Sequence, residues 1–142
     1  MVTRVLLAVT IAAALLAVSL PAVEAVRTER TAATMDRTAG RIETAGSSLL
    51  AEDEAEAGAR RVITVSLPPA SLTATGVDRF AVACGTSCAV SYRLRGGGSH
   101  VKRLPIPLST PDGVVAFSRA GTHRLVLGLS QENGRKVVTV RG

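Results

Sequence analysis

Two cysteines separated by three residues, Cys84-Gly-Thr-Ser-Cys88, are the most specific chemical feature of the chain. A hairpin turn of that length brings two Cβ atoms within reach of a bond, and an oxidising exterior would make it a disulfide. Two alternatives stay open: a buried reduced pair, and a redox or metal site completed by His100 or His123. The second lacks support, since there is no CxxC and the histidines are not clustered. His100 beside a glycine turn and His123 at the start of a strand read as ordinary histidines. The chain has no HExxH, no GxSxG and no Walker or Rossmann glycine pattern. No catalytic, cofactor-binding or metal-binding residue is therefore expected, and the chain reads as non-enzymatic.

A second candidate chemistry is the binding of anions. Residues 1–60 carry six arginines against eight acids, whereas residues 61–142 carry eleven basic residues against three acids. The C-terminal part thus has a net charge of +8 and should be drawn to anionic surfaces. Arg93, Arg95, Lys102 and Arg103 are the candidate anionic-ligand face, with a solvated mixed surface as the plainer alternative. Nucleic acid is not expected as a partner: base stacking needs aromatic faces, and the chain has only Phe80, Tyr92 and Phe117.

The elements that must carry these residues begin with an apolar run. Val5–Val23 is nineteen residues without a charge, about 28 Å as a helix, close to the hydrocarbon thickness of a bilayer. Membrane insertion is expected, with lipid contacted by residues 5–23. A retained single-pass anchor is the favoured form, and a signal segment cut after Ala25, with release of the rest, is the alternative. The count of basic residues flanking the run favours a cytoplasmic head. The short N-terminal tail and the cysteine pair favour the N-terminus inside and the head outside, and that topology is expected.

From Glu24 to about Glu56 the chain has no proline. Thr28, Ala32, Met35, Ala39, Ile42, Gly46 and Leu49 recur at alternating steps of four and three, one seam of a helix. Ala32, Met35, Ala39 and Ile42 form a candidate partner seam, able to pack on the following domain or on neighbouring copies; a solvated spacer helix is the alternative. The expected organisation is an anchor or signal over 1–23, an amphipathic stalk and linker over 24–60, and a head over 61–142. On that division Ile42→Glu would dissociate a complex and leave the head folded.

After Arg61 short β-branched runs alternate with turn signals. Strands are expected at 62–67, 79–84, 88–95, 99–104, 114–118, 122–130 and 135–141. Pro105 and Pro107 mark a sheet edge, Thr110-Pro-Asp-Gly113 a type I turn, and Asn133-Gly134 a hairpin. The fold class is α+β by layout: a long N-terminal helix, then a small antiparallel sandwich.

Two resemblances follow. Gly121–Leu129, the Asn133-Gly134 turn and Val137-Val-Thr-Val140 look like the closing hairpin of immunoglobulin-like extracellular domains. The whole plan, an apolar helix running into a stalk and β-head, is similar to type IV pilins. In detail it resembles a group of haloarchaeal membrane proteins encoded near secretion or pilus ATPases. That resemblance implies a membrane-anchored component of a pilus-like or secretion-associated surface assembly, with protein partners. The alternative function is a secreted or surface β-domain that binds an anionic ligand. The sequence departs from pilins in two places: Val5, not Gly, follows Arg4, and no Glu stands fifth in the apolar run. Polymerisation is therefore not implied.

Overall fold

A computed structural model describes residues 1–52 and 58–142. One helix, α1, runs unbroken over Val2–Ala51. Pro21 lies inside it. Its ring removes one helical hydrogen bond, a loss that transmembrane helices tolerate. Residues 1–26 are all exposed, and they include an apolar stretch of mean hydropathy 2.4, long enough to cross a membrane. The helix ends where Glu52 adopts an extended backbone and its N–H donates to the Ser48 carbonyl at 3.1 Å. Residues 53–57 of the expected stalk and linker lie outside the described residues.

Eight strands follow: β1 (Arg60–Leu67), β2 (Val77–Cys84), β3 (Cys88–Leu94), β4 (Ser99–Leu104), β5 (Leu108–Ser109), β6 (Val115–Phe117), β7 (Gly121–Glu132) and β8 (Arg135–Arg141). They form two four-stranded sheets, in the orders β1, β7, β8, β5 and β4, β3, β2, β6. All pairings are antiparallel except β5 with β8. The arrangement is a helix with a β-sandwich, an α+β chain. The strand absent from the sequence reading is β5. It has two residues, and its run is hidden between Pro107 and Pro111, too short for periodicity to register. It sits at the sheet edge, where Pro107 has no ladder bond to donate and instead accepts from Val138 N at 3.0 Å.

The turns follow local chemistry. Gly113 N–H donates to Thr110 O at 2.9 Å, closing the Pro111-Asp112 turn. Asn133 and Gly134 both have positive φ, 51° and 76°, the pair of left-handed residues that a type I′ hairpin requires.

Alternation sets the sheets' inner faces. Ile63, Val65 and Leu67 of β1 join Leu125 and Leu127 of β7 and Val138 and Val140 of β8; across from them stand Phe80, Val82, Val90, Tyr92 and Leu94 of β2 and β3. The helix completes this core. Met35, Ala39 and Ile42 are 0% exposed and Leu49 1%, and they belong to the same buried cluster as both sheets. Helix α1 packs on β1, β7 and β8 of one sheet and on β3 and β4 of the other. Gly46 lies tight against the head: a Cβ there would stand 2.5 Å from Ile106 Cδ1.

Candidate functional site

The expected partner seam is occupied within the chain. Met35, Ala39 and Ile42 are enclosed by the protein's own sheets, and Ala32 packs partly buried against the same cluster. Of the two coverings expected for these four residues, the following domain is the one present, which corrects their assignment as a seam for a separate partner. Apolar side chains at helical spacing state that something covers them, not what does. It also corrects the division at residue 60, because the helix from Thr31 to Leu49 is part of the head.

Polar contacts fix the helix against the head above that seam. Tyr92 Oη donates to Asp36 Oδ1 at 3.0 Å and approaches the Ala32 carbonyl at 3.4 Å. Burial, and then the Asp36 carboxylate as acceptor and charge, push the Tyr92 hydroxyl up to about 12. Its ring stacks on His100 with centroids 4.9 Å apart. Further toward the N-terminus, Thr31 Oγ1 accepts from Thr75 N at 3.0 Å, and Thr28 Oγ1 lies 3.3 Å from Thr75 Oγ1. Arg27 donates to the carbonyls of Ser71 and Ala74. The hydrogen bonds among these contacts were not legible in the sequence, since each joins residues more than forty positions apart.

Cys84 and Cys88 are bonded, with Cα atoms 4.1 Å apart. They are register partners at the closed end of the β2–β3 hairpin, so the bridge lies within one sheet. In antibody domains the corresponding bond joins two sheets. His100 is engaged with Tyr92. His123 stacks on Phe117 at 4.5 Å, with Nε2 at 2.7 Å from the Arg119 carbonyl. Among the described residues no three His, Cys, Asp or Glu side chains converge.

The four residues of the expected anionic face do not share one. Pairing of Ala89 with Arg103 and of Arg93 with Ser99 puts Arg93 and Arg103 on the outer face of the second sheet. Lys102 pairs with the buried Val90 and so has the opposite parity, and Arg95 is bound to Asp78 at 3.0 Å. Alternation on the edge strand separates the adjacent Lys102 and Arg103. The residue that does join Arg93 is Arg79, its cross-strand neighbour on β2. Register counted back from the Cys84–Cys88 closure gives this pair, a signal present in the sequence but unused.

Arg79 and Arg93 flank a shallow concavity of about 470 Å³ whose floor is the small residues Ala81, Ala83 and Ser91. Like charges directly opposite on a sheet repel. Arg93 Nε donates to Ser99 Oγ at 3.2 Å, and among the described residues neither guanidinium has an acidic partner. Two such forks above a floor without bulk suit a carboxylate or phosphate, which would relieve the repulsion.

The matching family profile is a domain of unknown function, DUF7311, and it spans residues 2–142. The chain belongs to that family, and the match takes in the apolar helix together with the head. No curated protein and no solved structure matches it significantly.

Proposed function

We propose that the protein is a non-enzymatic, membrane-anchored component of a pilus-like or secretion-associated surface assembly. The observation that carries this reading is the division of α1. One helix is wholly exposed and apolar over its first half and is a core element of the β-domain over its second. A head built this way is joined to its span without a flexible linker, as suits a part that must hold a fixed height above a membrane. The resemblance of this layout to pilin-like proteins supports assembly with other proteins. The bonded cysteines support a head outside the cell. Partner contacts then fall on the outer faces of the sheets or on the span, since the seam is filled.

Extraction from membranes by detergent, but not by alkaline carbonate, with intact mass and with co-purifying surface proteins, is the expected result. Recovery of a chain lacking residues 1–25 from the medium would contradict it. That outcome would favour the second reading, a released β-domain that binds an anionic ligand, for which the Arg79–Arg93 concavity is the supporting observation.

A further inference from the structure

The loop between β1 and β2 lies beside the end of the apolar run. Leu72 and Thr73 at its tip share a small cavity of about 350 Å³ with Ser19, Ala22, Val23 and Val26 of α1. Leu72 is 90% exposed, the most exposed large apolar side chain beyond α1. A loop tip that shows leucine to water gains nothing by it. Here the surroundings differ from water if α1 spans a bilayer.

The position can be estimated along the helix. Ala14 is the midpoint of the Val5–Val23 run, and Ala22 lies eight residues further on. At about 1.5 Å per residue that is about 12 Å from the midpoint, and half of the hydrocarbon thickness is about 15 Å. The loop tip is therefore level with the boundary between acyl chains and headgroups. Arg27 and Arg30, just beyond, are level with the phosphates.

The loop is also held in place. Ser71 N–H donates to Ala74 O at 2.9 Å, and Ser71 Oγ accepts from Ala74 N at 3.1 Å, which closes the tip on itself. Arg27 binds the Ser71 and Ala74 carbonyls, and Thr31 takes the Thr75 N–H. Those bonds satisfy backbone groups that a membrane boundary would otherwise leave without partners.

The geometry points to a second membrane contact: the Pro68–Gly76 loop rests on the bilayer that α1 crosses, with Leu72 inserted among the acyl segments next to the headgroups and Arg27 and Arg30 at the phosphates. The partner is the lipid surface itself, in continuity with the exposed apolar run. Together the span and the loop give two attachment points, which fix the tilt of the head as well as its height. The contact is the same whichever side of the membrane the head occupies. It rests on the reading that α1 spans the bilayer.

The chain has no tryptophan, so a single introduced one reports its own surroundings. Leu72→Trp, Leu15→Trp and Val101→Trp, each in the full chain, are reconstituted in vesicles of phosphatidylcholine and phosphatidylglycerol. Val101 is exposed on β4, on the outer face of the head. The inference predicts blue-shifted emission for Leu72→Trp, quenched most by lipids brominated high in the acyl chain, and for Leu15→Trp, quenched most by lipids brominated near the chain terminus, with Val101→Trp quenched by aqueous iodide instead. Lipid quenching at Leu15→Trp with a water-like Leu72→Trp would overturn the loop contact and leave the anchor standing. Water-like emission at both would overturn the two together. Lipid quenching at all three would mean unspecific adsorption of the head and would also overturn the inference.

Discussion

Tyr92 is the only tyrosine of the chain and bridges the sheet to the helix, so its titration reports on their docking. An ordinary phenol titrates near 10; this one is pushed up to about 12 by burial and by Asp36. As pH rises the unfolded chain releases this proton first. The stabilisation is complete below about pH 10 and is lost as pH rises toward about 12, by at most about 1.4 kcal/mol per pH unit for one proton. Phenolate absorbance of the folded protein should follow the raised value, and Tyr92→Phe should remove this part of the alkaline decline in stability. Arg79 tests the outer face. Arg79→Gln relieves a cross-strand repulsion, so melting should stay level or rise by a few tenths of a kcal/mol, while affinity for inorganic phosphate should fall and become less dependent on salt. A protein that melts earlier without Arg79 would contradict the repulsion argument. The disulfide is a small contribution: closing so short a loop stabilises by about 2 kcal/mol, and Cys84→Ser should cost about that in denaturant unfolding.

At the scale of elements, α1 is two different segments in one helix, and both were partly legible. The uncharged run announced the exposed half. The spacing of Met35, Ala39, Ile42 and Leu49 announced a buried stripe, but periodicity carries no information on which surface receives it. Strand positions were readable from alternation and from turns such as Asn133-Gly134, because both are local. The two-residue β5 was not, and neither was the packing of one helix on both sheets, which depends on long-range contacts. The candidate anion face failed for a related reason: neighbours in sequence, such as Lys102 and Arg103, point to opposite faces of a strand. These findings reverse the expectation for Ile42. Its side chain is 0% exposed in the core that the head itself provides. Ile42→Glu should therefore destabilise the head by several kcal/mol, seen as loss of the cooperative melt, and should not act merely on an association. At Gly46 the helix meets Ile106, and Gly46→Val should cost roughly 1–3 kcal/mol by overpacking.

Across the molecule, the exposed apolar half of α1 and the fold of the head are one mechanical unit. The exposed half of α1 asks for lipid, and the buried half fills a gap that the two sheets leave open. A head with its own complete core would tolerate a hinge; this one has none between the span and Leu49. That continuity underlies the proposed role as a membrane-anchored part of a surface assembly, in which the head would keep a fixed orientation relative to its anchor. The most direct measurement compares equilibrium unfolding of residues 27–142 with that of residues 61–142. The account predicts a single cooperative transition for the first and none for the second, because Met35, Ile42 and Leu49 are removed from the core. A cooperative transition of 61–142 with the same midpoint would show the sandwich to be complete without the helix, and would contradict it.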